Sequence, residues 1–259
     1  MSEVSVVKDP AAVALAAAEL FVEAAAGASA ARGRAAVALT GGSSASPLFA
    51  ALLSEKWRPI IQWDAIDFFF TDERAVPPSD PQSNFGLANR ELFQKAGVGP
   101  ARVHRLRGEA QDQPAEAIRA AHELRQVLAS TGAAGGSVVY RPDAPPRLDL
   151  VLLGLGPDGH ICSLFAGADG SDVRGDDELI RAVPAPTQVE PKVPRLTMTP
   201  AAVLLARTVV LMTAGAKKAD VLARALKGPE DLKGCQAQWL RRAHGRVVIC
   251  CDEAAAGKL

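Results

Sequence analysis

The chain has 259 residues, 48% of them hydrophobic and 22% charged. That excludes disorder throughout and suits one large α/β domain or two small ones. Its 29 lysines and arginines balance its 29 aspartates and glutamates, so it lacks the basic excess of a nucleic-acid binder, and no nucleic-acid partner is expected.

The first ten residues, MSEVSVVKDP, carry Glu3, Lys8 and Asp9 and no apolar centre, unlike a signal peptide. VSVV at 4–7 predicts a strand. Asp9-Pro10 then reads as an N-cap followed by a first-turn proline, opening a helix with Gly27 as its stop. The apolar part of that helix, 11–22, is too short to span a bilayer and is interrupted by Glu19, so no membrane association is expected. Further buried strands are predicted at 35–40 (AAVALT), 65–72 (AIDFFFTD), 149–155 (DLVLLGL), 208–215 (TVVLMTAG) and 246–250 (RVVIC), where apolar runs are continuous. Helices are predicted over 84–93, 114–128, from the cap pair Thr199-Pro200, and over 216–226. This alternation implies a mostly parallel, doubly wound sheet in a single domain over 1–259. The Gly-, Pro- and Asp-rich stretches 130–146 and 167–178 read as surface excursions, and the second lacks the spacing of a calcium loop.

Four polar or glycine-rich stretches each follow a predicted strand, so they should converge at the carboxyl edge of the sheet, where open α/β folds bind ligands. LTGGSSASPLF, 39–49, offers Gly41, Gly42 and Ser43 at a helix start, which suits a phosphate or simply a tight serine-capped turn. FFFTDERAVPPSDPQSN, 68–84, sets Asp72, Glu73 and Arg74 at the end of a very apolar strand, as a site or as a solvated turn.

LLGLGPDGHICSLFAG, 152–167, matches the dinucleotide fingerprint G-x-G-x-x-G at Gly154, Gly156 and Gly159. Pro157, however, removes an amide from the region that would face a pyrophosphate, and no following strand ends in an acid at the expected distance. The glycines instead let the chain leave the strand sharply and deliver His160 at the head of a short helix, HICSLF. A histidine there serves as a general base near neutral pH or as a capping residue. TAGAKKADVL, 213–222, repeats the arrangement with Lys217 and Lys218, preceded by VPRLTMT with Arg195, Thr197 and Thr199.

His104, His122 and His244 are isolated, and neither H-E-x-x-H nor a thiolate cluster occurs, so neither a metal nor another cofactor is expected. Cys162, Cys235, Cys250 and Cys251 form no regular framework, which predicts free thiols in a reducing compartment. No G-x-S-x-G elbow marks a serine hydrolase. The ending Gly257-Lys258-Leu259 is one residue from the S-K-L peroxisomal address, so a cytoplasmic protein is expected with a peroxisome-like organelle as the alternative.

In this order, the blocks TGGSSASPLF, FFFTDERAVPPSDPQSNFG, LDLVLLGLGPDGHICSLFAG, PRLTMT and TAGAKKADVL resemble the 6-phosphogluconolactonase family from about residue 35 to the closing GRVVICCDEAAA. The resemblance implies a Rossmann-like three-layer α/β/α sandwich and hydrolysis of 6-phospho-D-glucono-1,5-lactone by a monomer whose partner is this sugar phosphate. It further implies His160 as base and Asp72 orienting the sugar or the histidine. Arg74, Arg195 and Lys218 would hold phosphate with Gly41, Gly42 and Ser43, and Asn84 and Gly159 would complete the substrate site. Glucosamine-6-phosphate deaminases look similar but carry a further acidic residue after the histidine, where this chain reads ICSLFAG. A non-catalytic sugar-phosphate sensor would have His160 or Asp72 replaced, and both are intact. Ile161, Cys162 and Leu155 depart from the family pattern, and LKGCQAQWL lacks the usual proline-containing approach to the last strand, leaving its packing open.

Overall fold

The computed structural model describes residues 2–130, 147–166 and 178–259, so the two predicted surface excursions fall almost wholly outside the described residues. Strand β1 (Glu3–Val7) leads into α1 (Pro10–Arg32). The Asp9 side chain accepts from the Ala12 amide at 2.9 Å and Pro10 occupies the first turn, as the cap signal predicts. Gly27 does not stop the helix. The stop is Gly33, which takes φ +79°, a left-handed cap that an L side chain adopts at a cost. Over its full 23 residues α1 is long and apolar enough to cross a membrane by length and composition. Its buried residues Ala14, Ala17, Ala18 and Phe21 instead belong to the core beside the sheet, where small side chains permit close approach.

The strands β2 (Ala35–Leu39), β3 (Ile66–Phe70), β5 (Leu150–Gly154), β8 (Thr208–Thr213) and β9 (Arg246–Asp252) join β1 in a six-stranded sheet of order β1-β9-β8-β5-β2-β3. Every pairing in it is parallel. Each residue of β2 and β3 is buried, which explains why both runs are apolar but for Asp67. The sheet is held between helices, including α2 (Ala45–Leu52), which packs on α1. The expected helix over 84–93 forms as α3 (Asn84–Ala88) running through a π-helical turn into α4 (Gln94–Ala96). Beyond it lie α5 (Gln113–Ser130), α6 (Pro200–Leu204), α7 (Ala219–Lys227) and α8 (Glu253–Ala256).

A second sheet departs from the sequence reading. Strands β4 (Asp72–Arg74), β6 (Ile180–Val183) and β7 (Arg195–Met198) form an antiparallel trio of order β4-β7-β6. Asp72 opposes Thr197 and Arg74 opposes Arg195, so the charged block that reads as a site or solvated turn and the VPRLTMT block, for which the sequence predicts no element, are paired strands. Their charged residues hid the strand pattern.

The order of the large sheet fixes where a ligand goes. From β2 the chain passes outward to β3, and when it returns it lays β5 on the other side of β2. The connections leaving β2 and β5 therefore diverge and open a crevice at their carboxyl ends, the usual ligand position in doubly wound sheets.

Candidate active site

The crevice is lined by the loops that leave β2 and β5. After β2, Gly41 and Gly42 lead into a 3₁₀ turn over Gly42–Ser44 and the start of α2. Gly42 has φ +70°, and Gly42 and Ser43 are exposed. No side chain caps the first turn of α2, so its amides present partial positive charge to an incoming anion. Gly41 is needed for a different reason: a Cβ there would lie 1.8 Å from Asn84 Oδ1.

Asn84 and Arg195 are both buried, and both are committed to Asp72. Asn84 Nδ2 donates to the Asp72 carbonyl at 2.9 Å and to its Oδ1 at 3.2 Å. Arg195 lies 3.8 Å from Asp72 Oδ2 and also donates to the Pro191 carbonyl at 2.8 Å. With 3% of its surface exposed, Arg195 stands behind Asp72. Burial depresses its guanidinium below the usual range, against the opposing pull of Asp72. Arg74 is half-buried and anchored through one nitrogen to the Gln82 carbonyl at 2.6 Å.

Glu73 is structural. Its carboxylate accepts from the amides of Arg74, Asn84 and Phe85, each at 2.8 Å, and from the Ser83 hydroxyl at 3.0 Å. It thereby holds the start of α3. Burial raises its pKa against the pull of those bonds.

After β5, the chain turns at Gly156. Its amide donates to the His160 carbonyl at 2.9 Å, and a Cβ on it would lie 2.0 Å from His160 Nδ1. Gly159 has φ +97° and faces Cys235. Gly156 clears space for the imidazole and Gly159 for Cys235, and no helix follows. Residues 161–164 form a tight turn closed by the Leu164 amide on the Ile161 carbonyl at 3.1 Å, which corrects the helix expected over HICSLF.

His160 Nδ1 lies 2.5 Å from Asp158 Oδ1. Burial opposes ionisation of Asp158, but the bond and charge of His160 outweigh it and hold the carboxyl below its usual range. An ionised Asp158 accepts the Nδ1 proton, which puts the lone pair of neutral His160 on Nε2. Nε2 has no hydrogen-bond partner among the described residues. The orienting carboxylate is therefore Asp158; the Asp72 carboxylate makes its own contacts to Asn84, Ser163 and Arg195.

Lys218, at the end of the loop after β8, donates to the Leu155 carbonyl at 2.6 Å. Burial lowers its pKa, with Asp158 pulling the other way. The segment over LKGCQAQWL packs well despite lacking proline. Gln238 accepts from the Asp231 amide and donates to the Arg224 and Pro229 carbonyls, and the Ala237 amide holds the Gly159 carbonyl at 2.8 Å. His104 is not isolated, because it contacts Asp67 at 3.1 Å and Glu123 at 2.9 Å. Asp67 lies near the amino end of β3, away from the crevice.

Residues 8–249 match the family of glucosamine-6-phosphate isomerases and 6-phosphogluconolactonase. The chain belongs to this family. It is 35% identical over 251 residues to the 6-phosphogluconolactonase of Streptomyces coelicolor, covering 93% of this chain and 91% of that one. To the 6-phosphogluconolactonase of Mycobacterium tuberculosis it is 32% identical, covering 89% and 87%. The solved structure of the Trypanosoma brucei 6-phosphogluconolactonase superimposes with a TM-score of 0.82 at 29% identity, covering 100% and 99%. A monomeric glucosamine-6-phosphate deaminase shares the family fold with a TM-score of 0.79 over 99% of this chain, at 20% identity.

Proposed function

We propose that this family member hydrolyses 6-phospho-D-glucono-1,5-lactone to 6-phospho-D-gluconate, acting as a cytoplasmic, single-domain monomer in the oxidative pentose phosphate pathway. The observation that carries the reading is the Asp158–His160 pair beside an anion-suited loop at the crevice.

His160 Nε2 takes a proton from water as the water oxygen bonds to the lactone carbonyl carbon. Asp158 stabilises the imidazolium that results. Collapse of the tetrahedral oxyanion breaks the bond to the ring oxygen, which receives the proton back from His160. The amides of Gly41, Gly42 and Ser43 and the Ser43 hydroxyl hold the phosphate together with Lys218, whose depressed pKa recovers against a phosphate dianion. Arg74, half-buried beside Asp72, stabilises the developing oxyanion. Asn84 and Arg195 fix the Asp72 carboxylate, which faces the sugar, and Gly159 gives the His160 loop its turn.

One feature favours lactone opening over deamination: the stretch ICSLFAG after His160 carries no carboxylate, and it is the ring of Phe165 that packs against the imidazole, with centroids 4.7 Å apart. The test is disappearance of freshly made 6-phosphogluconolactone, with gluconolactone and glucosamine 6-phosphate in parallel. Acceleration confined to the phosphorylated lactone is expected. Ammonia release from glucosamine 6-phosphate would point to deamination, and no turnover of any of the three to a sensor.

A further inference from the structure

The turn that carries His160 is riveted to the small sheet by a residue that plays no part in the chemistry above. Ser163 is 1% exposed. Its hydroxyl donates to Asp72 Oδ2 at 2.7 Å and lies 3.4 Å from an Arg195 nitrogen that donates toward it. Its amide donates to Thr197 Oγ1 at 3.0 Å, and Thr197 pairs with Asp72 across β4 and β7. The preceding residue, Cys162, has φ +53°, a left-handed conformation that a non-glycine residue keeps only where its surroundings over-determine it. On the other side of that turn, the ring of Phe165 lies against both His160 and Arg195. One turn, three residues beyond the imidazole, thus bonds the groups that hold Asp72.

We propose that Ser163 is a positioning residue for the hydrolysis: by tying the turn to Asp72 and Thr197, it sets His160 at its working place relative to the substrate-facing groups of β4. This rests on the hydrolytic reading above. The hydroxyl reaches no described surface, so its action passes through the geometry of the turn. Misplacement of a base by about 1 Å costs up to a hundredfold in rate.

The test compares unaltered enzyme with Ser163→Ala on fresh 6-phosphogluconolactone, with kcat expressed per folded molecule from circular dichroism and inhibition by 6-phosphogluconate measured alongside. We expect kcat to fall between about fivefold and a hundredfold, with KM and product inhibition within about twofold. A role in stability alone would lower the melting temperature and leave kcat per folded molecule unchanged. Should Ser163→Ala not fold, Thr197→Val, which removes the acceptor of the Ser163 amide while keeping its shape, decides with the same expected signature. A smaller fall in kcat, or a rise in KM at constant kcat, overturns the proposal while leaving the hydrolytic reading in place. Absence of lactone hydrolysis by the unaltered enzyme overturns both.

Discussion

Asp158 and His160 are two residues apart, and their side chains fold back on each other so that Oδ1 and Nδ1 lie 2.5 Å apart. The carboxylate fixes both the ring orientation and the tautomer, leaving Nε2 as the base. Asp158→Ala should lower kcat by roughly ten- to a thousandfold, because an unoriented imidazole loses much of the two to four powers of ten that general-base help supplies. KM should stay within about twofold. Steady-state kinetics on fresh lactone measures this, and an unchanged kcat would remove Asp158 from the account.

Lys218 bears on affinity. Its ammonium is held near the loop by the Leu155 carbonyl, close to where the phosphate is proposed to bind. Lys218→Met is expected to raise KM for the phosphorylated lactone about tenfold or more, as loss of a charge-assisted bond does, with little change in kcat. A fall in kcat at constant KM would mean that Lys218 acts on the reacting carbonyl.

Among the described residues, the two closest glycine contacts give contrasting expectations. A Cβ on Gly156 meets the His160 ring at 2.0 Å, and one on Gly41 meets Asn84 Oδ1 at 1.8 Å. Gly156→Ala must push the imidazole away from Asp158 and should act on kcat in the manner of Asp158→Ala. Gly41→Ala displaces Asn84 from Asp72 and moves the anion loop, so KM should rise as well. The split between kcat and KM in the two variants checks this.

His104 predicts how stability depends on pH. Burial opposes its charge, but hydrogen bonds and charges from Asp67 and Glu123 prevail and lift its pKa from 6.5 to about 9. A pKa raised in the folded state means that the ion cluster stabilises fully below pH 6.5. That contribution is lost as pH climbs through about 9. Thermal melts across this range should show a falling midpoint in the unaltered protein and a flatter profile in His104→Gln. Parallel profiles would contradict the assignment.

The parallel sheet was legible because β2, β5 and most of β3 and β8 are apolar on both faces, a pattern that needs no tertiary information. Rejection of a dinucleotide site also came from local chemistry, since Pro157 and the spacing after Gly159 are visible in one dimension. The small sheet was not legible. Asp72, Glu73 and Arg74 carry charge into a strand, and only their pairing with Arg195–Met198 makes that tolerable. Asp158, between a proline and a glycine, carries no sequence signal as an orienting carboxylate, because the fold-back onto His160 is a matter of dihedral angles. The same holds for Ser163, whose partners Asp72 and Thr197 lie 91 and 34 residues away. Gly27 misled because interior glycines in helices have no signature of their own, whereas Gly33 is marked by its left-handed φ.

The most direct measurement is kcat of His160→Ala on freshly generated 6-phosphogluconolactone, beside the unaltered protein and the spontaneous rate. With His160 as the base, the unaltered protein accelerates hydrolysis and the variant loses roughly two to four powers of ten in kcat, while 6-phosphogluconate still binds. A variant that keeps its kcat would contradict the central claim, since no other described residue pairs an unengaged imidazole nitrogen with an orienting carboxylate at the crevice.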